Sequence, residues 1–189
     1  MKELVELFEV HDVHSSPARF DMKKLEAING DKIRALSAEE FLNRALPFLK
    51  DAGVISGTDG EIALVKQALP IIQERIVKLG EIPAMLKFLF VKELVVEADS
   101  KEKIKDDQSK QVLKRALEVL EPLSVWNHDS IEGALRTALI DEMGLKPRIA
   151  FGAVRIAATG SHISPPLFES MELLGKEASI SRVKAAISL

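Results

Sequence analysis

Apolar residues return at three- and four-residue intervals through nearly all of this 189-residue chain, and nowhere do apolar and polar residues alternate long enough to make a half-buried strand. The most strand-like pair, Val95-Val96, is too short to count. This regularity restricts the fold to helices packed on helices, roughly ten of them. Asp21 is placed to cap a helix carrying Leu25 and Ile28, Asn29-Gly30 reads as a turn, and Asp31 as the cap of a short helix through Ile33 and Leu36. Ser37-Ala38-Glu39-Glu40 has the form of a capping box ahead of Phe41, Leu42, Ala45, Leu46 and Leu49. From Glu61 one apolar face continues through Val65, Leu69, Ile72, Ile76 and Leu79 to Gly80, with Pro70 expected to kink or divide it and Arg75 one position off the stripe. Ile82-Pro83 opens a further helix through Phe90.

The acidic and lysine-rich residues 97–110 read as an exposed boundary or linker. Beyond it, Val112, Leu113, Leu117 and Leu120 share a helix face that ends at Pro122. Asp129-Ser130 then caps a helix through Ile131, Leu135 and Leu139 to Gly144, with Trp126 as core or as a staple over its start. Serines 179 and 181 read as the cap of a last helix. The expected organisation is a helical connector over residues 1–36, a first helical subdomain over 37–105 and a second over 106–189.

A hydrophobic fraction of 47% can fill real cores, and no run approaches the roughly 20 apolar residues of a membrane span. The start, Met-Lys-Glu, lacks the basic and apolar pattern of a signal peptide, and there is no cysteine for disulfides, thiolate metal sites or thiol nucleophiles, so a cytoplasmic location is expected. The net charge of -3 is unevenly divided. From Gly144 onward six basic residues (Lys146, Arg148, Arg155, Lys176, Arg182 and Lys184) face three acids (Glu169, Glu172 and Glu177), leaving the rest of the chain more acidic still. A basic end on an acidic body is a modest electrostatic footprint for a polyanion.

Within that end, residues 154–177 combine an irregular backbone with exposed donors. Thr159-Gly160 ends a helix carrying Arg155, a loop follows, and Ser164-Pro165 reads as a hydroxyl cap before a first-turn proline, launching Leu167, Phe168, Met171 and Leu174 up to Gly175. Two helix ends and an arginine meeting at a short loop suit an anion or a base edge. They equally describe a plain helix-loop-helix elbow with a surface arginine.

No Walker loop, dinucleotide glycine fingerprint, zinc-protease motif or serine elbow occurs, so no catalytic residue is assigned. His11, Asp12 and His14 lack a third well-spaced ligand, and no metal is expected there.

Four stretches together resemble the C-terminal, all-helical part of bacterial glutamyl-tRNA synthetases. ARFDMKKLEAINGDKIRAL is similar to that family's FD..KL..N..YIR segment, and ALPIIQERIVKLGEIPAMLKFLF to its first anticodon-binding region. IEGALRTALIDEMGLKPRIAFGAVRIAATG resembles the second region, LR...EKG.K.G...QPLR.ALTG, with a longer spacing between Arg136 and Gly144. SPPLFESMELLGKE is close to SPGLFEVLALLGKE. Ala27, Asp31 and Lys32 depart from the tryptophan, histidine and aromatic residue usual in the first segment.

The resemblance implies an all-α fold of two consecutive helical subdomains forming an elongated anticodon-binding module, with glutamate tRNA as partner, no DNA, no membrane and a monomeric state. It places Arg75 at the third anticodon base, Arg155 at the first with Leu167 packing beside it, Ser164 and Pro165 in the loop holding the middle base, and Arg136 at a further anticodon contact. Guanidinium only donates, so it matches O2 and N3 of cytosine and clashes with the N1–H and N2–H donors of guanine. The family's His-Ile-Gly-His-like and Lys-Met-Ser-Lys-Ser-like signatures are missing, so no cofactor is expected in this chain; ATP and magnesium belong to the absent catalytic domain of a full-length glutamate-tRNA ligase. The other reading is a helical protein-interaction module of the same descent that binds no RNA.

Overall fold

The structure, a computed structural model, describes residues 2–12 and 20–189, with side chains from residue 5 onward. Among these residues there are helices and no strand, as the periodicity requires. Helix α1 (Lys2–Leu7) and a short 3-10 turn (Val10–Asp12) lead to α2 (Met22–Arg34), α3 (Ala38–Asp51), α4 (Asp59–Gln73) and α5 (Ile82–Leu86). Helices α6 (Ala98–Glu102), α7 (Asp107–Leu120), α8 (His128–Arg136), α9 (Pro147–Thr159), α10 (Leu167–Leu174) and α11 (Lys176–Ile187) follow. His14 lies outside the described residues; His11 and Asp12 sit exposed in the 3-10 turn.

Several sequence signals act as read. Asp21 accepts from the amides of Lys23 and Lys24, and the Ser37–Glu40 capping box closes in both directions. A second box, Thr58 with Glu61, starts α4 two residues before the sequence reading began it. Hydrogen bonds from the amides and hydroxyls of Thr58 and Ser56 hold the Glu61 carboxyl down at about 2, so this cap stays ionised across ordinary pH.

Other signals are overridden by packing. Asn29-Gly30 makes no turn: α2 runs through it, because Gly30 lets the segment after α4 approach so closely that a Cβ there would meet Val77 Cγ1 at 3.2 Å. Asn29 Nδ2 donates to the Val77 carbonyl, so both residues serve that approach. Pro70 sits inside an unbroken α4, where it removes one amide from the ladder without ending the helix. The helix stops at Gln73, and Ile76, expected on its stripe, is buried from the turn beyond. Residues 97–110 are no bare linker, since Ser100 and Ile104 are fully buried beneath the second core. The last helix begins at Lys176, directly after Gly175, while Ser179 points inward to the Met171 carbonyl.

After Arg136 the helix widens into a π turn, Thr137–Glu142. A π turn takes up one residue more than the α ladder allows, so the helix phase shifts within this one stretch.

Two cores result. Ile33, Phe41, Leu49, Ile72, Ile82 and Leu86 anchor the first; Ile104, Leu113, Leu120, Ile131, Leu139 and Val183 anchor the second. The α2 face carrying Phe20, Met22, Leu25 and Ile28 is left exposed by the described residues. Helix α10 joins the cores, Leu173 packing on the first while Leu167 and Met171 fill the second. Arg182 of α11 ties them more firmly: Nη1 donates to Ala158 O (2.9 Å), and Nη2 to Phe88 O (2.9 Å) and Val91 O (3.1 Å). Burial pulls its pKa below the ordinary arginine value. Trp126 Nε1 donates to Met171 O (2.9 Å), and His128 pairs with Glu172 (2.8 Å), fixing the start of α8 on α10.

Replacing Arg182 by methionine keeps the apolar stem and removes three charge-assisted bonds, so urea unfolding is expected to show a loss of about 2–3 kcal/mol. The Glu172 carboxylate raises the His128 pKa, so this pair adds stability in full below the ordinary histidine pKa of about 6.5 and loses it as pH rises through the raised value. An NMR titration of the His128 ring is expected to have its midpoint above that value in the wild type and to fall back in Glu172→Gln.

Candidate nucleic-acid interface

Arg155 is presented by α9, whose left-handed cap at Gly160 (φ 81°) turns the chain into residues 161–166. Its Nη1 donates to Ser164 Oγ (2.8 Å) and to Pro165 O (2.6 Å), leaving Nη2 and Nε without an acceptor among the described residues. Ser164 therefore does not cap α10, as the sequence suggested. With two prolines in a row, Pro165 is driven out of the helical region by Pro166, and α10 starts at Leu167 with Pro166 in the cap position. No side chain caps this end. Pro165 is buried and Leu167 only 2% exposed, which makes them the packed support of the corner.

Arg75 stands exposed in the turn after α4, its amide bonded to Ile72 O (2.9 Å). It is close enough for its charge to act on Arg155: burial, and then Arg75, lower the Arg155 pKa, opposed by Glu169. Neither arginine belongs to an ion pair among the described residues. Two like charges from different cores thus act on one another across one seam, with Nη2 and Nε of Arg155 to spare. Arg136 is placed differently. It pairs with Glu132 (2.5 Å) and lies 6.0 Å from the Phe151 ring centre, and Phe151 meets Phe168 edge-on at 5.2 Å. Its link to the corner runs through those two rings.

The basic C-terminal footprint is smaller than its count of residues. Lys176 donates to Leu123 O (2.7 Å), Lys184 pairs with Glu121, and Arg182 is the tie between cores, leaving Lys146, Arg148 and Arg155 on the outer side.

The loop itself is braced from a stretch to which the sequence reading gave no such role. Glu97 N donates to Gly160 O (2.9 Å) and Ser161 Oγ to Glu97 Oε2 (2.7 Å). The fully buried Ser100 accepts from the His162 amide (3.0 Å) and bonds the His162 ring at Nδ1 (2.9 Å). Glu97, Asp99 and His162 bring potential ligand atoms within 4.8 Å of one another, and the serine bonds account for two of the three. A serine in a charged run carries no periodic signal by which its burial could be read.

Guanidiniums outside any ion pair among the described residues, beside an uncapped helix end, define a helical module with donors suited to acceptor-rich ligands. Comparison with known proteins narrows that class. A family model described as an anticodon binding domain matches residues 40–187, and the chain belongs to this family. Among its relatives, the glutamate–tRNA ligase of Paenarthrobacter aurescens is 46% identical over 188 residues, covering 98% of this chain and 37% of the relative. That of a Nocardioides species is 48% identical over 192 residues, covering 99% and 39%. The chain therefore spans a little over a third of these relatives, corresponding to their C-terminal part. The crystal structure of a glutamate tRNA ligase from Elizabethkingia meningosepticum shares the fold, with a TM-score of 0.73 at 21% identity over 99% of this chain and 36% of its own. The resemblance read from the four sequence stretches holds.

Removing the Ser100 hydroxyl leaves the His162 amide without its acceptor, so Ser100→Ala is expected to cost about 1–2 kcal/mol, with the fastest gain in hydrogen exchange at His162 and its loop neighbours.

Proposed function

We propose that this chain is the anticodon-reading part of a glutamate–tRNA ligase. The observation that carries the reading is the corner at Arg155, whose Nη2 and Nε keep no acceptor among the described residues and on which the charge of Arg75, from the other core, acts. In this reading Arg75 meets the third anticodon base and Arg155 the first, through the donors that Ser164 and Pro165 leave free. Ser164 and Pro165 shape the loop for the middle base, Leu167 supports it from the core, and Arg136 supplies a further contact from the Phe151 side. Extruded bases read by arginine, backbone and apolar contacts are the usual mode for RNA loops. The residues present offer no phosphate cradle for ATP, so ATP, magnesium and the ligation step belong to the larger part of the relatives that this chain does not span. The protein works as a cytoplasmic monomer. No helix among the described residues is long and apolar enough to cross a membrane. No observation favours the alternative of a helical protein-interaction module.

The test is binding to glutamate-tRNA anticodon stem-loops carrying C or G at the third anticodon position, at fixed salt. The wild type is expected to prefer C by about 1–3 kcal/mol, and Arg75→Ala to lose that preference while melting at or above the wild-type temperature, since a like charge beside Arg155 has gone. Equal binding of both loops by the wild type would remove Arg75 from the role.

A further inference from the structure

Beside the arginine seam, on the outer face of α9, lies a cleft of about 710 Å³ whose lining includes Lys103, Arg148, Ile149, Gly152, Arg155 and Ile156. Gly152 stands in the middle of α9, where glycine weakens a helix relative to alanine. Nothing in this chain calls for it: a Cβ built there meets no atom within 4 Å. Glycine at such a place is the residue for close approach by something else, and the space it leaves opens into the cleft. The surroundings describe what approaches. Lys103 and Arg148 are exposed and belong to no ion pair among the described residues. The start of α9 carries no side-chain cap. Asp106 also borders the cleft, but its carboxylate is held by Ser109 as the cap of α7. The result is a slot with an apolar floor, open over a bare helix backbone and bordered by cations, which is the chemistry of a nucleotide bound by its flat base and its phosphate.

We infer that the cleft over Gly152 seats one nucleotide of the tRNA anticodon arm outside the three bases already assigned, its base or ribose against Gly152 and its phosphate toward Arg148 and Lys103. The inference rests on the anticodon-reading function proposed above. It makes one face of α9 serve both, with Arg155 toward the anticodon and Gly152 and Arg148 toward the adjoining backbone.

The experiment compares the wild type with Gly152→Ala and Gly152→Leu in binding a glutamate-tRNA anticodon stem-loop, with melting temperatures measured alongside. Both substitutions favour the helix, so both variants are expected to melt no lower than the wild type. Both put a side chain where the nucleotide is to lie, so Gly152→Ala is expected to weaken binding several-fold and Gly152→Leu about tenfold or more. Arg148→Ala combined with Lys103→Ala is expected to flatten the dependence of affinity on salt. Wild-type affinity in Gly152→Leu overturns the inference and leaves the anticodon reading standing. A wild-type chain that binds no anticodon stem-loop overturns both.

Discussion

Arg182 places one planar cation where three carbonyls converge, two from the segment that closes the first core and one from the last turn of α9. Such a group is satisfied only while all three stay in place, because a half-buried guanidinium without acceptors is costly. The arrangement converts two separate helical cores into parts with a fixed relation, and the seam depends on that relation. Arg75 comes from one core and Arg155 from the other, so their distance is set by whatever holds the cores together. The Arg182 fork and the packing of α10 are the contacts that do so.

The charge of Arg75 acts against that of Arg155, and burial adds to the cost of keeping Arg155 ionised. Rigidity is what makes the arrangement useful. Arg155 is anchored by one nitrogen to Ser164 and Pro165, the loop bearing those residues is tied down by Glu97 and Ser100, and α10 begins only after two prolines have fixed its approach. Little conformational freedom then remains to be lost when a ligand arrives.

Much of this was legible in the sequence because it depends on local chemistry. Periodic apolar stripes, the Ser37 and Asp21 caps and the stops at Gly160 and Gly175 are set within a few residues, and they gave the all-helical class and the placement of Arg155 at a helix end. What was misread depends on contacts between distant segments. Asn29-Gly30 looks like a turn until Val77 presses on it. Ser164-Pro165 looks like a helix start until Pro166 is taken into account and Arg155 claims the hydroxyl. Arg182 looks like surface charge, and Ser100 like part of a solvated run, because nothing in their neighbours along the chain announces the carbonyls or the loop they meet. That Arg75 acts on Arg155 from eighty positions away agrees with placing both arginines on one surface, an expectation that came from the resemblance and not from either residue's neighbours along the chain.

The π turn after Arg136 shows how such a frame tolerates change in its own length. An added residue inside a regular helix rotates everything downstream by about 100° and would carry buried side chains out to solvent. Here the widened coil is confined to Thr137–Glu142, and Gly144 then closes the helix with its amide on Ile140 and that of Leu145 on Leu139. Such a turn works like a loose link in a chain whose ends are pinned, so that a change of length at this point can be taken up between α8 and α9.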